Sequence, residues 1–188
     1  MTVPFQIKNV ACIGVGVIGA GWIARFIENG INVKIFDPHP NVKTNVDRTL
    51  NNADIAFSNL TSIPRIQKGN VSFESSIAAA VTNAELIIES VPERLDIKQE
   101  VYSEIEISCT SSALITSSTS GIMPSELQSK LEHPKRFYVG HPFNPVYLLP
   151  LVEIVGGTET SQETIDKAKA LYEPVSYTHL TLPTNREV

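Results

Sequence analysis

Gly14, Gly16 and Gly19 fall in a G-x-G-x-x-G spacing between a short apolar run, residues 7–13, and residues 18–28, where apolar side chains recur at helical intervals. Few local patterns restrict a fold as tightly. A strand that turns at once into a helix needs one position without a Cβ for the turn, a second where backbone can approach a ligand, and a third where helix packs on strand. Asn29-Gly30 stops the helical pattern, and residues 32–36 form a β-rich run ending at Asp37-Pro38. The proline cannot continue a ladder, so a carboxylate is left at the strand's C-terminal end. The spacing predicts a βαβ unit whose glycine turn and helix start, with the amides of Val17 and Ile18, hold a pyrophosphate while Asp37 accepts hydrogen bonds from a ribose. Asp37 would repel an added 2′-phosphate, and no arginine stands at 38–40 to neutralise it, so NAD is expected over NADP. A glycine turn that serves only the fold, or that binds FAD, is the alternative.

The alternation continues along the chain. Residues 41–59 suit a helix, 61–69 a connection punctuated by proline and glycine, and 71–73 a short strand before a helix start at Ser75-Ser76. Strands follow at 85–89 and 113–116, helices at 96–107 and 124–131, strands at 136–140 and 151–155, and a charged amphipathic helix at 162–172. Apolar strands alternating with helices predict an α/β fold of the Rossmann type, a doubly wound and mostly parallel sheet. A chain of 188 residues, 42% hydrophobic and 19% charged, can bury one good core. Its net charge of −5 offers no field for nucleic acid or acidic membranes. No apolar run reaches the roughly 18 residues of a membrane span, and residues 1–8 lead towards a strand without a signal-peptide pattern, so a cytoplasmic protein is expected. Cys12 and Cys109 lack metal-ligand spacing and are expected as reduced core thiols, with no metal site.

A second motif carries the chemistry. Gly140-His141-Pro142-Phe143-Asn144-Pro145 precedes a Leu-Val-Glu-Ile-Val strand pattern, placing an imidazole, an amide and the Glu153 carboxylate in one strand-turn-strand region. After a dinucleotide loop, that set reads as the working end of a nicotinamide-dependent alcohol dehydrogenase. A histidine titrates near neutrality and can accept a hydroxyl proton while the nicotinamide accepts the hydride. A histidine that merely caps a turn beside proline is the structural alternative.

Together with Glu89-Ser90-Val91-Pro92-Glu93-Arg94 and Ser118-Thr119-Ser120, these segments resemble the 3-hydroxyacyl-CoA dehydrogenase superfamily from about residue 7 to 157. The stretches SSTSGIMPSEL and GHPFNPVYLLPLVEIVGG look most like its carnitine-oxidising branch, with the L-gulonate dehydrogenase and lambda-crystallin branch a near relative. The resemblance implies that His141 is the general base and that Glu153 bonds its other ring nitrogen. It also implies that Ser120 and Asn144 contact the substrate oxygen, and that Glu93 and Lys98 lie near the nicotinamide ribose. Turn chemistry would explain Ser120 and Asn144 equally, and a solvated ion pair would explain Glu93 and Lys98. The acyl-CoA enzymes carry a basic residue before the Leu-Val-Glu strand where this chain has Leu149-Pro150, which argues against a CoA phosphate. Phe143 and Tyr147 are candidates to surround a quaternary ammonium by cation–π contact, or are simply packing.

Residues 1–174 are therefore expected as the NAD-binding domain carrying the catalytic pair. Residues 175–184 look like a translated transposase-type sequencing adapter, so 175–188 are expected as a non-native tail in which His179 has no role. The superfamily's C-terminal helical domain, which closes the cleft and forms a homodimer interface, is expected to be missing, leaving the fragment inactive alone. The expected partner is a small-molecule substrate. A lambda-crystallin-type binding protein is the non-enzymatic alternative.

Overall fold

The structure, a computed structural model, describes residues 7–60, 67–175 and 178–181. The first unit runs β1 (Asn9–Ile13), α1 (Val17–Glu28) and β2 (Asn32–Phe36), followed by α2 (Val42–Leu60), β3 (Val71–Phe73) and α3 (Ile77–Val81). Next come β4 (Leu86–Glu89), α4 (Leu95–Ser108), β5 (Leu114–Ser117), α5 (Pro124–Gln128), β6 (Phe137–Pro142), β7 (Leu151–Val155), α6 (Gln162–Tyr172) and β8 (Thr178–Thr181). They form one sheet in the order β3-β2-β1-β4-β5-β6-β7-β8, parallel except for the antiparallel β6–β7 pair. The doubly wound, mostly parallel sheet is thus the observed one.

Side chains alternate across each strand, so one sequence run feeds two layers. In β1, Val10 and Cys12 join Trp22, Phe26, Tyr138 and Tyr172 in the core on one face, while Ala11 and Ile13 join Tyr102, Ile105, Ile115 and Phe137 on the other. Strands buried on both faces read as continuous apolar runs, which is why β4 and β5 were visible without any period-2 pattern. The order reverses direction at β1 and β4, so their C-terminal ends open a crevice between diverging connections. Gly14 leaves β1 there and Ser90 leaves β4.

Most boundaries lie within a residue of the sequence pattern, and the larger departures fall after β5. The helix expected to reach 131 stops at Gln128, and Leu131 N–H closes a turn onto the Gln128 carbonyl. The strand expected at 136–140 begins at Phe137 and runs on through His141 and Pro142, because β7 pairs with it across both residues. His141 is therefore a strand residue and not a turn residue. Beyond α6, the backbone of Thr178–Thr181 forms β8 alongside β7. An edge strand presents a row of unpaired amides and carbonyls that any extended segment can satisfy, so this pairing says nothing about where the segment comes from. The N-terminal lead-in (1–6), most of the connection expected at 61–69 (61–66), and residues 176–177 and 182–188 of the tail lie outside the described residues.

Cys12 is fully buried, and burial pushes its thiol pKa far up, while Cys109 ends α4 in a half-buried position. Among the described residues no helix is long and apolar enough to cross a membrane, and no cluster of His, Cys, Asp and Glu could hold a metal ion.

Candidate active site

The glycine turn is built from backbone. Gly14 has φ +84°, a left-handed conformation, and a Cβ there would come within 2.7 Å of the Ser90 carbonyl and Val91 nitrogen. A Cβ on Gly19 would run into the Gly14 carbonyl, so helix and turn meet only because both residues lack one. Gly16, in contrast, has nothing within 4 Å of its would-be Cβ and faces open space at the α1 N-terminus, beside Val17, which is 72% exposed. With no side-chain cap on α1, the first-turn amides of Val17, Ile18 and Gly19 are available to a ligand.

Asp37 sits at the end of β2, and its two oxygens accept from the Val15 amide at 2.6 Å and the His39 amide at 2.8 Å. The carboxylate is thereby fixed at the rim of a cavity of about 610 Å³ that runs from Gly14 and Gly16 past Pro38 to Val91 and Ile97. Its apolar walls suit a purine, its rim carboxylate a ribose, and the open helix start a pyrophosphate. These residues fit NAD.

The second half of the site is built from side chains. In the antiparallel β6–β7 pair, His141 and Glu153 are direct partners, so both project to one face, and His141 Nδ1 lies 2.9 Å from Glu153 Oε2. An ionised carboxylate only accepts, so in the neutral imidazole this contact places the proton on Nδ1 and leaves the Nε2 lone pair for a proton. Ser120 Oγ is 3.3 Å from that Nε2. The pair is partly shielded, the two side chains being 31% and 21% exposed. They line a cavity of about 160 Å³ together with Ser120, Gly121 and Met123.

Ser120 is held by Glu93, whose Oε1 accepts from the Ser120 amide at 3.0 Å, the Gly121 amide at 3.1 Å and the Thr119 hydroxyl. Burial alone would raise the Glu93 pKa, but these hydrogen bonds and the Lys98 charge outweigh it and hold the carboxyl below its ordinary value. Lys98 departs from the solvated-pair alternative, being 1% exposed and bonded to the buried Glu89. Ser118, one residue beyond β5, accepts from Trp22 Nε1 at 3.1 Å and from Ser90 at 3.0 Å, which ties this loop to α1 and β4.

Asn144 opens away from the His141 cavity into a second one of about 390 Å³ between α1 and α2, lined also by Gly16, Asn45, Arg48, Asn52 and Tyr147. Phe143 stays with His141, ring centroids 5.9 Å apart, so the structure separates the two aromatic candidates. Sequence reasoning passed over Glu89, Thr119 and Arg48. The first two stand within motifs already singled out, whereas Arg48 is an exposed residue on a polar helix face with nothing local to mark it.

The chain matches the family described as 3-hydroxyacyl-CoA dehydrogenase, NAD binding domain, over residues 9–182. It is 52% identical over 162 residues to an L-carnitine dehydrogenase/betainyl-CoA thioesterase of Rhizobium sp, covering 86% of this chain and 33% of that protein. L-carnitine dehydrogenases of Mesorhizobium japonicum and Oceanobacillus iheyensis are 48% and 49% identical, over 90% and 88% of this chain and 47% and 54% of theirs. The chain thus spans between a third and about half of the length of these curated relatives. Among solved structures it superposes on 5-formyl-3-hydroxy-2-methylpyridine 4-carboxylic acid 5-dehydrogenase, an NAD+-dependent dismutase, with a TM-score of 0.88 at 30% identity, covering 95% of this chain and 58% of that one. The likeness to Escherichia coli 3-hydroxybutyryl-CoA dehydrogenase, TM-score 0.80 at 24% identity over 94% of this chain and 38% of that one, shows the shared fold. The glycine cradle, the sheet order and the family match agree: the chain belongs to the NAD-binding domain family of the 3-hydroxyacyl-CoA dehydrogenases.

Proposed function

We propose that the protein bearing this domain is an NAD-dependent 3-hydroxy-acid dehydrogenase that oxidises L-carnitine to 3-dehydrocarnitine. The observation that carries the proposal is His141 set between Ser120 and Glu153 in a domain whose glycine cradle fits NAD. NAD, when bound, supplies the hydride acceptor. His141 Nε2 takes the proton of the C3 hydroxyl, and Glu153 stabilises the imidazolium that results. Ser120, 3.3 Å from His141 Nε2, is a neutral donor that holds the oxygen as its bond to carbon changes order, without competing for the proton, whereas Asn144 lines the α1–α2 cavity and is left to another part of the substrate. Glu93 orders the loop that carries Ser120.

Carnitine presents a trimethylammonium at one end and a carboxylate at the other. Phe143, 36% exposed beside His141, offers a ring face to the cation, and Tyr147 is the more remote second candidate. Arg48, the one cation among the described residues lining the α1–α2 cavity, suits the carboxylate. The identities to L-carnitine dehydrogenases of three organisms support the same substrate. Oxidation of a 3-hydroxyacyl-CoA or of L-gulonate would use the same His141 and Glu153. The domain reading belongs to this proposal: residues 1–174 as the nucleotide-binding domain and 175–188 as a non-native tail, to be tested by resequencing past codon 174. So do a homodimeric state of the full-length protein and its location in the cytoplasm.

The test is NADH formation by the full-length protein offered L-carnitine, 3-hydroxybutyryl-CoA and L-gulonate in parallel. Turnover of carnitine alone, abolished by His141→Ala, is the expected result. Turnover of a rival substrate alone would keep the chemistry and reject carnitine, while NAD binding with no turnover of any would favour a binding protein.

A further inference from the structure

The segment joining β6 to β7 is fastened to α1 at two points one helical turn apart. Gly21 and Arg25 stand four residues apart and so share a face of that helix. A Cβ on Gly21 would come within 2.8 Å of the Val146 Cβ, so the buried Val146 sits in a notch that depends on the glycine. One turn on, Arg25, 6% exposed, donates through Nη1 to the Tyr147 carbonyl at 3.3 Å and through Nε to the Val175 carbonyl at 2.9 Å. Burial of that charge is tolerated because its planar fork reaches acceptors in two separate segments at once. The amides of Leu148 and Leu149 both donate to the Pro145 carbonyl at 2.9 Å, so holding Val146 and Tyr147 holds the whole turn.

That turn is a wall. Asn144, Pro145 and Tyr147 close the α1–α2 cavity of about 390 Å³, whose other walls are α1 at Ala20 and Gly21 and α2 around Arg48. Two of these walls are helices of 12 and 19 residues, whereas the third is a connecting segment whose place depends on its anchors. The helix that supplies the anchors is also the one whose first-turn amides are open to the cofactor. α1 therefore carries the cofactor cradle at its start and the seat of the cavity wall on its second and third turns.

We infer that Arg25 is a positioning residue that sets substrate specificity: with Gly21 it seats the 144–147 turn against α1, and so fixes how far Asn144 and Tyr147 reach into the cavity that takes the non-reacting, anionic end of the substrate. The inference rests on the proposed reading of the α1–α2 cavity as the place of the substrate carboxylate, and goes beyond it by naming what shapes that place. Arg25 lines neither this cavity nor the one around His141, so it acts through the turn and not by contact with the substrate.

The test uses the full-length protein carrying Arg25→Met, which keeps an apolar stem and removes the donors, and Arg25→Lys, which keeps the charge but not the fork. With L-carnitine as substrate, Arg25→Met is expected to raise KM on the order of tenfold while kcat stays within about threefold, the pattern of a lost contribution to binding alone. The dissociation constant for NAD is expected to stay within about threefold. Hydrogen–deuterium exchange at the Leu148 and Leu149 amides should accelerate roughly tenfold, and Arg25→Lys should recover part of both effects. Should Arg25→Met fail to fold, Gly21→Ala displaces Val146 with the guanidinium intact and is expected to give a comparable rise in KM. Parallel losses of kcat and NAD affinity would overturn the proposal and make Arg25 a support of the whole domain. An unchanged KM would overturn it as well, with or without faster exchange, since the turn would then not shape the substrate site. The proposed function fails separately: turnover of 3-hydroxybutyryl-CoA or L-gulonate in place of carnitine, or of none of them, would reject the carnitine reading, while exchange at Leu148 and Leu149 would still report whether Arg25 seats the turn.

Discussion

The two halves of the site are made differently. The nucleotide half, Gly14 to Asp37, is backbone held by backbone: a left-handed turn, unpartnered helix amides, and a carboxylate pinned by the amides of Val15 and His39. The half proposed to be catalytic is built on side chains, with Glu93, Ser120, His141 and Glu153 converging from four separate segments. A backbone site tolerates most substitutions of neighbouring side chains but no added Cβ at Gly14 or Gly19. A side-chain site is sensitive at every member, and its geometry depends on sheet register.

That contrast breaks most sharply at His141. His141→Ala is expected to lower kcat on the order of 10³-fold while NAD binding, followed by fluorescence titration, stays within about a factor of two; an equal loss of NAD affinity would show that the halves are not separable. Glu153→Gln keeps the shape but removes the charge that stabilises the imidazolium, with an expected loss on the order of 100-fold in kcat. Gly14→Val attacks the other half, combining a positive φ with collision against Ser90, and should weaken NAD binding by roughly 30-fold or more. Retention of wild-type affinity there would mean that the turn does not contact the cofactor.

The smallest effect concerns pH. Glu93 has a folded pKa below its ordinary value of 4.5, so its contribution to loop order is fully present above that value and is lost as pH falls through the lower folded one. Exchange at the Thr119–Gly121 amides, corrected for intrinsic rates, should therefore be flat from neutrality down to mildly acid solution and rise below it. Glu93→Gln should remove that rise.

The same contrast governs what could be read in the sequence. The nucleotide half lies within one βαβ unit, and its glycine spacing and terminal Asp37 are local signals, so both fold and ligand followed from a short window. His141 and Glu153 were legible as residue types, but their pairing is a property of β6–β7 register, and the continuation of β6 through Pro142 was not visible because proline ordinarily ends a strand pattern. Glu89 and Lys98 were hidden for another reason. Charged residues at a strand end and a helix start suggest a solvated surface, and only the closing of Tyr102 and Ser117 around Glu89 makes them interior.

The single antiparallel pairing in this sheet imposes a rule of parity. His141, Val139, Glu153 and Val155 share one face, and Tyr138, Val152 and Ile154 the other. A one-residue slip of β7 against β6 would carry Glu153 through the sheet into the apolar layer around Trp22 and Tyr172, and strand the imidazole without its anchor. The segment between the two strands, 143–150, obeys no such rule. Val146, buried against Gly21, and the Tyr147 carbonyl, which accepts from Arg25, tie it down, but side chains elsewhere in it could be exchanged without disturbing the phase of either strand. The stretch proposed to meet the substrate and the pair proposed to move the proton thus lie side by side under different constraints, one under no parity and the other fixed to alternate residues.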